Sequence, residues 1–140
     1  MIITDTVGFI RDLPKDLMGA FRTTLEELRD AELLLHLADA SARDPEAQIR
    51  AVEAILAELN LDGIPRVLVL NKCDRLPPAQ AGALCRRYGA VGISALHPAT
   101  LTPMIELLDR ALARRLDSGS KHLRPWENVG PESLREAGVV

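Results

Sequence analysis

Arg66-Val67-Leu68-Val69-Leu70-Asn71-Lys72-Cys73-Asp74 is an apolar, β-branched run of strand length that stops abruptly on Asn, Lys and Asp. A short run with no polar alternation reads as a strand covered on both faces, the pattern of parallel sheets packed between helices. In such sheets ligands collect beyond the carboxyl ends of the strands, where this run becomes polar.

Working outward, Leu33-Leu34-Leu35-His36-Leu37-Ala38-Asp39 repeats the pattern, and Ala90-Val91-Gly92-Ile93-Ser94 is a shorter version. Between the first two lies a predicted helix with Ile49, Val52, Ile55, Leu56 and Leu59 on one face, opened by Asp44 as N-cap and Pro45 as first helical residue. Pro78 to Tyr88 forms a weaker helical pattern. Thr102-Pro103 opens a stronger one carrying Ile105, Leu108 and Leu112. Upstream, Met1-Ile2-Ile3 precedes a polar turn, and Leu17, Phe21, Leu25 and Leu28 recur at helical spacing. The resulting alternation of strand and helix predicts an α/β layer fold with right-handed crossovers. From Asp117 the periodicity stops, and residues 117–140, with Ser118-Gly119-Ser120, Pro125, Gly130 and Pro131, read as a flexible tail.

The chain has 140 residues, 47% of them apolar, enough for one core. A net charge of -3 gives no broad attraction to DNA or to anionic membranes, and 3% aromatic residues argues against a stacking platform for single strands. No apolar run approaches the roughly 20 residues that span a bilayer, and the N-terminus lacks signal-peptide features. Cys73 and Cys85 are not spaced as a CxxC pair, so a reduced, cytoplasmic setting is expected. His36 reads as a tolerated sheet residue, and His97 and His122 have no evident partners in sequence.

Three predicted strand ends carry chemistry. In Asp5-Thr6-Val7-Gly8, an Asp could hold Mg²⁺ through water, and a Gly three residues on lets its N–H approach a terminal phosphate. In Asn71-Lys72-Cys73-Asp74, the Asp carboxylate could accept the N1–H and N2–H₂ of guanine, where adenine would present an acceptor instead. The Lys72 stem could cover the purine face and the Asn71 amide could tie the loop to neighbouring backbone. In Ser94-Ala95-Leu96, a small residue would let a backbone N–H reach guanine O6 while the hydroxyl braces the loop. Each motif alone is also an ordinary polar turn. Their order along the chain, each at a strand end, points to a guanine-nucleotide fold.

These residues resemble the G3, G4 and G5 motifs of P-loop GTPases. The longer string Asp5-Thr6-Val7-Gly8-Phe9-Ile10-Arg11-Asp12-Leu13-Pro14, followed by Ala20-Phe21 and Thr24-Leu25-Glu26-Glu27, resembles switch II of the HflX family. The resemblance covers residues 1–116. It implies a partial Ras-like G domain, a mostly parallel sheet flanked by helices, whose full-length relatives are ribosome-associated GTPases that bind GTP or GDP with Mg²⁺ and contact the large ribosomal subunit. Carried over, the nucleotide contacts are Asp5, Thr6, Val7, Gly8, Asn71, Lys72, Asp74, Ser94, Ala95 and Leu96, with Asp5 holding Mg²⁺ through water. The chain contains no GxxxxGK[ST], and the threonine-bearing switch I segment expected before Asp5 is missing. These absences lead to the expectation of impaired catalysis. Phe9 stands where many GTPases carry the Gln that orients water, leaving the catalytic group unassigned. The alternatives are a non-enzymatic module binding the ribosome or a protein, and a truncated gene product.

Overall fold

The computed structural model describes residues 27–118. Three parallel strands, β1 (Leu34–Asp39), β2 (Arg66–Asn71) and β3 (Val91–Gly92), lie in the order β1-β2-β3. Leu34 pairs with Arg66 and the ladder runs in step to Asp39 and Asn71, while Val69 and Leu70 of β2 pair with Val91 and Gly92. The α/β fold with a parallel sheet is therefore as the sequence implies. The predicted strand at Met1-Ile2-Ile3, the motif Asp5-Thr6-Val7-Gly8 and the predicted helix through Leu17, Phe21 and Leu25 lie outside the described residues. Leu28 falls in a 3₁₀ turn, Glu27–Asp30, and packs beside Leu56 and Leu61.

Helix α1 (Pro45–Glu58) begins as its sequence dictates, with Pro45 in the first turn and Asp44 Oδ1 accepting the Ala47 N–H at 2.9 Å. It ends through Asn60, whose φ of 57° turns the chain so that Asn60 N–H reaches Ala57 O and Leu61 N–H reaches Leu56 O. That pair of bonds satisfies carbonyls the helix leaves open. Helix α2 (Pro78–Tyr88) matches its predicted limits and stops at Gly89, whose φ of 59° suits a residue without Cβ. Helix α3 (Leu101–Ser118) follows a 3₁₀ turn over Pro98–Thr100 and runs two residues into the segment read as tail. Residues 119–140 lie outside the described residues.

Paired residues share a sheet face, so the register sorts the core. Leu70 and Ala38 pack with Ile49 of α1 and Cys85 of α2 on one side. Val67, Val69 and Val91 pack with Leu108, Met104 and Leu101 of α3 on the other. This corrects two expectations. Leu35 and Leu37 project on the α3 side of β1, where they are 40% and 54% exposed, because α3 packs on β2 and β3. Ile105 of α3 is likewise exposed, the helix burying Leu108 and Ala111. β3 is also shorter than the predicted 90–94: its ladder stops where β2 ends at Asn71 and turns away at Lys72. Two further bonds, Ile93 N–H to Leu70 O and Cys73 N–H to Ile93 O, carry the pairing into the loops.

Candidate functional site

The carboxyl ends of β2 and β3 bring two of the three predicted loops together. Asn71, the last residue of β2, turns its side-chain oxygen back to accept the Lys72 N–H at 2.7 Å and the Ala95 N–H at 3.0 Å. One amide oxygen thus joins the Asn71–Asp74 loop to the Ser94–Leu96 loop. Both bonds use donors that a strand end would otherwise leave open.

Lys72 takes a left-handed conformation, φ 65°, rare for a residue with a side chain. The turn starts a 3₁₀ segment, Cys73–Arg75, closed by Leu76 N–H on Cys73 O. It also sends the Lys72 side chain back across the sheet to β1, where Nζ meets Asp39 Oδ2 at 2.5 Å. Asp39 is itself fixed: its other oxygen accepts the Ser41 N–H at 2.9 Å and the Ser41 hydroxyl at 2.7 Å. The Lys72 bond is the main reason the Asp39 carboxyl is held below its ordinary pKa, with Ser41 contributing. The ends of β1 and β2 are therefore linked by a charged pair that is partly open to solvent.

Asp74 stands exposed at the head of the 3₁₀ turn. Its pKa is lowered, first by the Ser94 hydroxyl, and then by its own backbone N–H and the nearby His97 and Arg75. Ser94 is buried, and its Oγ has no partner within hydrogen-bond geometry, so its influence on Asp74 acts at longer range than a formed bond. The carboxylate is ionised at neutral pH and its accepting edge faces solvent. Behind it the Ser94 backbone is clamped by Thr100: the Ser94 N–H donates to Thr100 Oγ1 at 2.9 Å, and that hydroxyl donates back to Ser94 O or His97 O. Ala95 and Leu96 follow at the exposed crest of the loop, Leu96 being 76% accessible.

Of the sequence-derived site residues, Asn71, Lys72, Asp74, Ser94, Ala95 and Leu96 fall on these two adjoining loops, while Asp5, Thr6, Val7 and Gly8 lie outside the described residues. Asp39, Ser41 and Thr100 were not signalled. Asp39 could have been suspected, since it ends an apolar strand in the way Asn71 does; Thr100 sits in a turn that no periodicity marks. Among the described residues, no group of three His, Cys, Asp or Glu is placed to hold a metal ion, and no helix is long and apolar enough to cross a membrane.

The chain is similar to proteins named GTPase HflX. The one from Caldanaerobacter subterraneus subsp. tengcongensis is 39% identical over 141 residues, which cover all of this chain and 32% of that protein. The Spirochaeta thermophila protein is 45% identical over 148 residues, covering all of this chain and 34% of its own length. The Escherichia coli K12 protein is 49% identical over 75 residues, 54% of this chain and 18% of that one. The chain thus spans about a third of the length of the relatives that match it throughout. No family model matches the chain, and no solved structure does.

Proposed function

Because this chain belongs to the HflX family of GTPases, we propose that it forms the guanine-reading part of a GTP-binding domain. The observation that carries the reading is the exposed, ionised Asp74 carboxylate at the end of β2, beside a second loop tied to the first through Asn71. A carboxylate so placed accepts two donors from one base edge, N1–H and N2–H₂ of guanine, and repels the lone pair of adenine N1. Charge-assisted bonds of this kind contribute about 1.5–3 kcal/mol each.

The supporting roles follow from position. Lys72, paired with Asp39, has a four-carbon stem able to lie over a purine. Ala95 donates its N–H to Asn71, and guanine O6 would compete for that donor. The crosslinked loops limit how far Asp74 and Ala95 can drift apart, so part of the ordering that binding requires is already in place. Residues 1–116 would then constitute the G-domain portion and 117–140 a following segment. Asp5 would hold Mg²⁺ through water and Gly8 would sense the terminal phosphate, on sequence grounds. GTP hydrolysis and contact with the large ribosomal subunit belong to the same proposal, as does a cytoplasmic setting. Hydrolysis would need phosphate-binding groups beyond those in these 140 residues, which contain no GxxxxGK[ST].

The test is competition against a fluorescent GDP analogue by GDP, xanthosine diphosphate and ADP. Asp74→Asn should weaken the guanine nucleotide about 10- to 100-fold and favour xanthine, whose C2 carbonyl can accept from the new amide. An unchanged preference for guanine would remove Asp74 from the role.

A further inference from the structure

The two cysteines, twelve positions apart and unremarkable in sequence, meet in the fold. Cys73 lies between Lys72 and Asp74 at the start of the 3₁₀ turn; Cys85 is buried on the inner face of α2. Both sulfurs occupy the space over Gly92 of β3. A Cβ at that position would sit 2.7 Å from Cys85 Sγ and 3.2 Å from Cys73 Sγ. Residue 92 thus has no room for a side chain because two thiols fill it.

We propose that Cys73 and Cys85 are a dithiol site for oxidation by a diffusible low-molecular-weight disulfide, and that the intramolecular disulfide so formed weakens guanine binding. Cys73 is the less buried of the two residues, so it is the one that takes the oxidant first, and the buried Cys85 resolves the adduct. In the first step the Cys73 thiolate attacks one sulfur of the small disulfide, forming a mixed disulfide and expelling one thiolate, which takes a proton. In the second, the Cys85 thiolate attacks the Cys73 sulfur and expels the other small thiol. The protein dithiol loses two electrons, the small disulfide gains them, and the two thiol protons end on the two released thiols. Burial raises both thiol pKa values, that of Cys85 to about 11, and each sulfur affects the other's ionisation. The exchange should therefore quicken as pH rises.

The effect on the nucleotide follows from geometry and rests on the guanine-reading role proposed above. A disulfide requires the sulfurs at about 2.05 Å, well inside any non-bonded approach. In the reduced chain Cys73 Sγ is directed at Leu70 O, 3.2 Å away. Bond formation pulls it off that carbonyl towards α2, and Lys72 and Asp74 move with it. Binding constellations tolerate only about 0.5 Å of such drift.

The experiment treats the 140-residue chain with oxidised glutathione, then reads intact mass, peptide linkage and the affinity for a fluorescent GDP analogue before oxidation, after it and after re-reduction. The expected result is a loss of two hydrogens, a linked peptide pair containing residues 73 and 85, and GDP binding about tenfold weaker or more, restored by reductant. In Cys85→Ala the glutathione adduct should persist on Cys73. A persistent adduct in the unsubstituted chain, or only intermolecular links, would overturn the site. A 73–85 link with unchanged GDP affinity would overturn its coupling to binding. If the reduced chain bound GDP no better than ADP, the guanine reading would fall with the coupling, while the masses would still decide the dithiol site.

Discussion

β1 and β2 are six-residue apolar strands paired residue for residue, yet they carry different loads. In β2, Val69 and Leu70 are fully buried, one under each helical layer. In β1, His36 and Ala38 are buried under α1, whereas Leu35 and Leu37 on the opposite side are exposed. The difference lies in the reach of α3, which packs on β2 and β3. An apolar run therefore records where a strand can be buried, and the packing of its neighbours decides how much of that capacity is used. The candidate site follows the same gradient. The loop proposed to read the base leaves the end of β2, the strand held from both sides, and β1 contributes only the partly exposed Asp39. A loop anchored on a rigid strand keeps its side chains in place without needing a core of its own.

The largest expected effect tests that gradient directly. Leu70→Ala removes a side chain closed in on all sides and should cost about 2–5 kcal/mol, while Leu37→Ala, at 54% exposure, should cost less than about 1 kcal/mol. Urea unfolding of both variants gives the comparison. Equal losses would mean that the α3 side of β1 is covered in solution and that the two strands are equivalent.

A smaller effect separates the two strand ends. Asn71→Ala removes the acceptor of the part-buried Lys72 N–H and the exposed Ala95 N–H and, at about 0.5–1.5 kcal/mol per bond, should cost about 1–2 kcal/mol. Asp39→Asn removes one charge of a pair in which the Lys72 side chain is 45% and the Asp39 side chain 29% accessible, and should cost about 1 kcal/mol at most. The same unfolding measurement ranks them. A reversed order would place the structural anchor of the site on β1.

Much of this was legible because it is local. Asp44 and Pro45 fix the start of α1 within a few residues, and the run Arg66–Asn71 announces β2 by composition alone. The order of the polar strand ends along the chain is enough to locate the Asn71 and Ser94 loops. What the sequence concealed depends on contacts between distant residues. Asp39 meets Lys72 across 33 positions, and the exposure of Leu35 depends on where α3 comes to rest. Thr100 braces Ser94 through a hydroxyl in a turn without periodicity, so no pattern could flag it.

The smallest effect concerns the covered side of β1. Burial lowers the pKa of His36, with Arg66 acting in the same direction and Glu53 opposing, so the folded chain holds it neutral. In the unfolded chain the same imidazole titrates near 6.5. As pH falls through that value, the unfolded state takes up a proton that the folded state does not, and folding stability declines. The decline continues until the lowered folded pKa is passed, below which His36 adds no further loss. The contribution is thus complete above the unfolded pKa and disappears on the acid side. Replacing His36 with Leu should flatten the part of the stability profile that this residue supplies as pH falls through the unfolded value, at most one proton's worth of slope. Urea titrations of both proteins on either side of that value make the measurement. If the two profiles ran parallel, His36 would be protonated alike in both states, and β1 would be open to solvent on both faces.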